Sequence, residues 1–199
     1  MIRKQQRGEA TVDQVLDAAL RIYAASGESG LTVDAITKAG GVSSGSIYHH
    51  FGSLHGVVVA LTQRWLGRLL EQLTNAITRS DDARSGVRAV IRAYLEFVQT
   101  HPDAARLLHS VTADREGMDR AEQIRDAQEA RLSPIAEWIN ARTESGELAA
   151  LPAPLIESLV MGPVVAVARR YVAVGDIDLD EAARELPDHI WQSVAGPAA

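Results

Sequence analysis

The chain has 199 residues, of which 46% are hydrophobic and 23% charged, with no cysteine and a formal net charge of −6. This composition is normal for a globular protein and excludes disulfides, thiolate metal sites and global disorder. The basic N-terminal segment has no apolar stretch behind it, and the longest uncharged apolar run is too short to span a bilayer. We therefore expect an intracellular, cytoplasmic protein with no membrane partner.

Nearly every segment of the chain has apolar residues at helical spacing, which predicts an all-α fold of about nine helices. No alternating strand pattern, glycine-rich phosphate loop or internal repeat occurs. Pro134 is expected to kink or interrupt the helix that contains it. The predicted helices cover residues 11–25, 33–40, 44–51, 54–79, 83–100, 102–112, a long segment that follows a polar stretch at 113–118 and ends near 143, 155–174 and 180–194.

The negative charge is unevenly distributed along the chain. Residues 1–55 hold equal numbers of basic and acidic side chains, so the whole negative excess lies in residues 56–199. Three cations, among them Arg3 and Lys4, cluster at the N-terminus, where a flexible arm can reach phosphates. This pattern favours two domains, 1–55 and 56–199.

Residues 32–53 have the pattern of a helix-turn-helix. Thr32 is a good N-cap for a first short helix, and Ser43 is a good N-cap for a second. Between them, Gly40-Gly41 supplies the residues that a tight turn needs where φ becomes positive. An ordinary helical hairpin with a glycine turn is the alternative interpretation.

The composition of the second short helix favours DNA binding over that alternative. Ile47 and Phe51 lie four residues apart and face the core, so Tyr48 and its neighbours face outward. Ser44 and Gly45 make the first turn small enough to approach a DNA groove, and the exposed N–H groups there suit phosphates.

The last two predicted helices carry apolar stripes that are compatible with self-association. A helix-turn-helix that reads a palindrome requires two-fold symmetry, which favours a homodimer. Burial of the same stripes inside one subunit is the alternative. The predicted dimer interface consists of Val160, Val164, Val167 and Tyr171 in one helix and Leu186, Ile190 and Val194 in the other.

Several motifs together resemble the DNA-binding domain of the tetracycline-repressor (TetR) family of transcriptional regulators. They are Ala18-Ala19, Gly27, Gly30-Leu31-Thr32-Val33, Ile36, Ala39, Gly41-Val42-Ser43, Gly45, Ile47-Tyr48-His49-His50-Phe51 and Ser53. The resemblance covers about residues 10–55. It implies a three-helix DNA-binding domain and a six-helix C-terminal domain that binds a small ligand and dimerises through its last two helices.

Carried over position by position, the resemblance implies specific contacts with DNA. Ser44, Gly45 and Tyr48 would contact base edges. Thr32, Ser46, His49 and His50 would contact phosphates. The predicted DNA-binding site therefore comprises Thr32, Ser43, Ser44, Gly45, Ser46, Tyr48, His49 and His50, with Arg3 and Lys4 from the arm.

One position departs from the family pattern. Leu54 stands where the family commonly has a lysine that grips phosphate at the start of the fourth helix. The loss of one phosphate contact is expected to reduce both affinity and its salt dependence.

Most of the aromatic residues lie beyond residue 55, and a pocket lined by some of them would be apolar. For each single residue, plain core packing is the alternative. Polar residues available to orient a ligand are Arg92, His101, His109 and Asn140. The predicted ligand-binding residues are Trp65, Tyr94, Phe97, Trp138 and Met161.

Together these patterns predict a ligand-responsive transcriptional repressor that binds a palindromic DNA operator as a homodimer and is released by a small, mostly apolar molecule. No cofactor, metal site or enzymatic activity is expected, because the adjacent His49 and His50 point about 100° apart and no nucleophile motif or paired ExxH element occurs. The alternative is a small-molecule-binding protein of the same fold that has lost or weakened DNA binding, which Leu54 and the neutral N-terminal domain would favour.

Overall fold

The computed structural model describes residues 2–110, 113 and 121–197, and the side chains of residues 8–110, 113 and 122–197. Within these residues the fold is all-α, as predicted, with one short 3-10 helix at Glu28–Gly30 and one isolated antiparallel bridge between Leu148 and Ala195. The α-helices described are α1 (Ile2–Ser26), α2 (Val33–Gly40), α3 (Ser44–Phe51), α4 (Leu54–Thr78), α5 (Ala83–Thr100), α6 (Pro102–Leu108), α7 (Ala121–Glu144), α8 (Ala153–Val174) and α9 (Leu179–Val194).

Two of the predicted boundaries differ from the structure. Helix α1 begins nine residues before the predicted start at Thr11, so the backbone of the expected arm is helical. Arginine, lysine, glutamine and glutamate, which dominate this segment, are good helix formers, and this accounts for the extension. Helix α6 ends at Leu108 instead of continuing to residue 112. The predicted polar stretch at 114–118 lies outside the described residues.

The chain forms two compact units, Met1–Trp65 and Leu66–Ala199, and the division falls inside α4. In the first unit, α1, α2 and α3 bury a small apolar core against each other, in which Ile36 and Ile47 are completely buried. The guanidinium of Arg64 in α4 forms an ion pair with Asp17 in α1, with an N–O distance of 2.9 Å. This ion pair connects α4 to α1, in addition to the direct chain connection between α3 and α4.

In the second unit α5 is the central helix and packs against α6, α8 and α9. Its inward face is almost entirely buried, with Ile91, Phe97 and Val98 at its centre. Asp82 begins the helix with a capping box that it shares with Ser85. These features explain why the predicted bounds of α5 agree with the structure: its ends are set by local capping and its face by helical periodicity.

The loop that follows α7 is fastened to the start of α5 through Glu147. One carboxylate oxygen of Glu147 accepts a hydrogen bond from the Ala83 amide at 2.8 Å, and the other accepts one from Arg142 at 2.9 Å. Arg142 also donates to the Asp81 carbonyl at 2.9 Å. These donors hold the pKa of the Glu147 carboxyl below its ordinary value, the Ala83 amide having the largest effect.

Helix α7 continues through Pro134, so the interruption that we expected there does not occur. A proline removes one helical hydrogen bond and disturbs the preceding turn. In that turn, the Arg131 carbonyl accepts a hydrogen bond from the Thr74 hydroxyl of α4 at 2.8 Å. The carbonyl that loses its helical donor is that of Ala130, so the bond from Thr74 does not replace the missing one but connects α4 to α7 next to it.

None of the described helices combines the length and the apolar character needed to cross a bilayer.

Candidate DNA-binding surface and effector cavity

The first half of the helix-turn-helix has the predicted cap and turn. The Thr32 hydroxyl accepts a hydrogen bond from the Ala35 amide at 3.1 Å, which begins α2. The helix ends at Gly41, whose φ of +64° lies in the left-handed region that favours glycine. This glycine therefore allows the chain to turn from α2 into α3.

The start of α3 is held by two serines. The Ser43 hydroxyl accepts from the Ser46 amide at 3.1 Å and lies 2.9 Å from the Ser46 hydroxyl. Both hydroxyls are thus engaged with each other in the cap. The amides of Ser44 and Gly45, in the first turn of α3, have no intrahelical acceptor and are available to a phosphate oxygen.

The exposed residues of α3 are Ser44, Gly45, Tyr48, His49 and His50. Tyr48 is 54% exposed, which is unusual for a large aromatic side chain and makes it one of the few exposed large hydrophobic residues described. Ser44 lies one turn before Tyr48 on the same face of the helix. The structure therefore places Ser44, Gly45, Tyr48 and His49 on one accessible surface, which we call the α3 surface.

The other predicted DNA contacts are placed differently. The ring of His50 lies beside α1, where a Cβ added to Gly8 would be 3.7 Å from its Cε1 atom. Thr32 is exposed at the start of α2. The side chains of Arg3 and Lys4 lie outside the described residues.

Leu54 is the first residue of α4 and is half-buried. The Ser53 hydroxyl before it accepts from the Gly56 amide at 3.0 Å and caps the helix. The position that we compared with a family lysine is thus at a helix start immediately after α3. A cation there would have access to the solvent.

Within the second unit, helices α4, α5, α7 and α8 enclose an apolar cavity of about 60 Å³. Among the described residues that line it, Glu157 is the one that is charged, and it is exposed. Two of the five predicted ligand-binding residues, Trp138 and Met161, line it. The full set of lining residues is Leu70, Leu73, Ile77, Val87, Val90, Leu132, Ile135, Trp138, Ile139, Leu148, Ile156, Glu157, Val160 and Met161.

The other predicted ligand-binding residues are buried but are not among the residues that line this cavity. The Tyr94 hydroxyl lies 3.2 Å from Nε2 of His109, and burial raises the pKa of Tyr94 to about 12. The ring centroid of Phe97 lies 5.1 Å from that of His101. Trp65 is buried in the first unit.

Sequence reasoning missed most of the cavity wall, which is aliphatic. Aliphatic residues at helical spacing give the same pattern whether they face a cavity or fill a core, so periodicity cannot distinguish the two. Gly86 was missed for a related reason. It lies on α5 directly against the Trp138 ring, a relationship between two residues far apart in the sequence.

The predicted dimer stripe is corrected by the structure. Val160, Val164, Ile190 and Val194 are each at most 6% exposed within the single chain. Side chains that are already buried have almost no surface left for a partner, so these four residues belong to the core of the subunit. The remaining members of the stripe, Val167, Tyr171 and Leu186, are half-buried.

The accessible apolar surface of α8 and α9 includes Leu186 and Ile190 of the predicted stripe and several residues outside it. Leu159 and Pro163 of α8 and Leu186 of α9 line a surface depression of about 400 Å³, together with Ser158, His189, Ile190 and Ser193. Leu155, one turn before Leu159, is 46% exposed. We call the surface formed by Leu155 and these seven lining residues the α8–α9 surface.

An exposed recognition helix in a three-helix unit, followed by a larger helical unit, defines the helix-turn-helix class of DNA-binding proteins. The model of the family "Bacterial regulatory proteins, tetR family" matches residues 15–61, which include the α3 surface. Over these residues the chain matches the DNA-binding domain of the TetR family.

Three similar proteins illustrate the relationship. The transcriptional activator FasR of Mycolicibacterium smegmatis is 28% identical over 106 residues, which are 53% of this chain and 46% of FasR. The match thus spans less than half the length of that relative. A TetR-like transcriptional regulator from Rhodococcus sp. RHA1 has 27% identity and a TM-score of 0.64, covering 92% of this chain and 94% of that one.

The third is the regulator FadR of Bacillus subtilis, whose structure is in complex with stearoyl-CoA. It has a TM-score of 0.75 and 19% identity, covering 89% of this chain and 96% of that one. At 19% identity, the comparison with FadR shows a shared fold. These three proteins are named as transcriptional regulators and not as enzymes.

Proposed function

We propose that this protein is a cytoplasmic transcriptional repressor that binds a palindromic operator as a homodimer and is released by a small, mostly apolar molecule. The observation that carries the proposal is the α3 surface, where Tyr48 is exposed at the centre of a correctly capped recognition helix.

The α3 surface has the chemistry for DNA. The free amides of Ser44 and Gly45 lie at the positive end of the helix and suit a phosphate. Tyr48 and His49 extend from the following turn and can reach base edges or phosphates. Few of these side chains are long, so sequence preference would rest on Tyr48 and on the shape of the DNA.

A dimer through the α8–α9 surface would supply the two-fold symmetry that a palindrome requires. This surface combines the exposed Leu155 with a depression that a partner helix would fill. The isologous contact would pair the surface with its own copy. Crossing helices that bury leucine and proline side chains resemble ordinary helix packing in a core.

The apolar cavity is the site we propose for the effector. Its wall is aliphatic and aromatic apart from Glu157, which disfavours an anionic group in the cavity. The acyl ligand of the fold relative FadR supports an apolar effector. Trp138 and Met161 would then be in contact with it, whereas Tyr94, Phe97 and Trp65 would act through packing.

Helix α4 offers a physical link between effector and operator. It begins directly after the recognition helix, and Leu70, Leu73 and Ile77 of its later turns line the cavity. A ligand that displaces α4 would change the spacing of the two recognition helices in a dimer. Linkage requires that such a ligand weaken operator binding by the same factor by which DNA weakens ligand binding, ordinarily 5- to 150-fold, or about 1–3 kcal/mol.

The test is a fluorescence-anisotropy titration of the purified protein against DNA from its own upstream intergenic region. We expect saturable binding that is lost with scrambled DNA of the same length. A compound found by thermal shift should then lower operator affinity. Binding that does not distinguish the two DNAs would favour a carrier that has lost DNA recognition, and promoter activity that falls on deletion of the protein would show an activator.

A further inference from the structure

The indole of Trp138 carries a buried hydrogen-bond donor that the protein does not use. Its Nε1 atom is inaccessible to solvent and has no acceptor among the described residues. A buried N–H without a partner is destabilising, and such groups are rare in native structures. Trp138 is one of the residues that line the apolar cavity, so a ligand bound there can supply the missing acceptor.

The described neighbours of the indole provide no acceptor for its Nε1 proton. On one side the ring lies against the backbone of α5 at Gly86, and on another the guanidinium of Arg142 stands 5.6 Å from its centroid. A guanidinium has only donors and cannot accept the indole proton. The remaining neighbours across the cavity are aliphatic side chains such as Val87 and Ile135.

We infer that the cavity binds a neutral apolar group with one hydrogen-bond acceptor, such as a carbonyl or ether oxygen, which accepts from Nε1 of Trp138. This inference rests on the proposed effector site and specifies the chemistry of its ligand. Glu157 is the charged residue on the wall, and its carboxylate would repel an anion. Trp138 thereby becomes the specificity-determining residue, and the aliphatic wall contributes affinity through burial.

The volume of the cavity sets the size of the group. A group the size of a water molecule needs about 15 Å³ of cavity volume. The cavity of about 60 Å³ therefore holds roughly four non-hydrogen atoms. Acetone and 2-methylpropene are suitable probes because each has four such atoms and the same shape. They differ only in that acetone has an acceptor oxygen where 2-methylpropene has a methylene group.

The first measurement uses the unaltered chain and NMR of the indole N–H groups of Trp65, Trp138 and Trp191. We expect acetone to move the Trp138 proton resonance downfield, as a new hydrogen bond does, and 2-methylpropene to move it less. Trp138→Phe identifies the resonance. If that variant does not fold, Trp65→Phe and Trp191→Phe identify it by elimination.

The second measurement compares affinities. Acetone loses more hydration than 2-methylpropene in any apolar site, so the informative quantity is the ratio of the two affinities. We expect Trp138→Phe to shift this ratio against acetone by about two- to tenfold. Glu129→Ala, on the exposed side of α7, is the matched control and should leave the ratio unchanged.

Two results would overturn the inference: a Trp138 resonance that acetone does not move, or an affinity ratio that is the same in Trp138→Phe. Both measurements are made without DNA. Failure of operator binding would therefore refute the proposed function and leave the inference about Trp138 unaffected. Failure of the two ligand measurements would refute the inference and leave DNA binding unaffected.

Discussion

Gly86 and Trp138 lie so close that the Trp138 ring leaves no room for a side chain at position 86. A Cβ added to Gly86 would be 2.6 Å from Cη2 of the Trp138 ring, far inside the normal contact distance. The indole therefore packs on the bare backbone of α5, and this contact holds α7 against one wall of the apolar cavity. Glycine is present here because of tertiary packing and not because of a backbone turn.

Replacing Gly86 with alanine should destabilise the protein. The added methyl group forces the Trp138 ring to move, and overpacking of this kind costs about 1–3 kcal/mol, more than the gain of about 1 kcal/mol in helix propensity. We expect a lower midpoint in a urea denaturation measured by circular dichroism.

Gly67→Ala is the matched control for that experiment. Gly67 is also inside a helix of the second unit, but its added Cβ would meet only the ends of two long side chains, those of Gln128 at 3.4 Å and Arg131 at 3.5 Å. Stability should be unchanged or increased by up to about 1 kcal/mol. Equal effects of the two substitutions would show that the Trp138 contact is unimportant.

Glu147→Gln should reduce stability in a pH-dependent way. The Ala83 amide and Arg142 hold the pKa of Glu147 below its value in the unfolded chain, so ionised Glu147 stabilises the fold above about pH 4.5. This stabilisation is lost as the pH falls through the folded pKa. The gap in unfolding midpoint between wild type and Glu147→Gln should therefore be widest near pH 7 and close below pH 4. A gap that is constant with pH would assign the effect to hydrogen bonding alone.

Tyr48→Ala should weaken binding to the operator while leaving the protein folded. Loss of one base contact costs about 1–3 kcal/mol, and substitution of an exposed residue changes stability by at most about 0.5 kcal/mol. Anisotropy titration against the operator and against scrambled DNA should show that mainly the specific affinity falls. Unchanged operator affinity would remove Tyr48 from the recognition surface.

Leu54→Lys should strengthen DNA binding. A cation at the start of α4 would add one phosphate contact and increase the slope of log affinity against log salt by about 1. The control is Leu54→Gln, which removes the apolar side chain without adding charge. An unaltered salt slope in Leu54→Lys would place residue 54 away from the phosphate backbone.

Leu155→Glu should dissociate the proposed dimer. An unpaired charge buried at the interface costs several kcal/mol, which corresponds to more than a 100-fold weaker association. Sedimentation velocity should show folded monomers, whereas Ala127→Glu, on the exposed part of α7, should leave the dimer intact. Val164→Asp should unfold the subunit instead, because Val164 is completely buried within it. A Leu155→Glu variant that sediments as a tight dimer would place the interface elsewhere.

The sequence by itself determined the features that depend on neighbours along the chain. The caps at Thr32 and Ser43, the turn at Gly41 and the outward position of Tyr48 follow from local hydrogen bonding and a period of 3.6 residues. The same local rules set the bounds of α5. For this reason the helix-turn-helix was predicted almost residue by residue.

Only the tertiary structure revealed which neighbour each apolar face meets. The stripe that contains Val160 and Val164 has the same period whether it faces a partner or its own subunit, and it faces the subunit. Likewise, nothing local distinguishes Trp138, beside a cavity, from Phe97, which is not among its lining residues. Periodicity defines a direction around a helix axis, but what lies in that direction depends on contacts between residues that are distant in sequence.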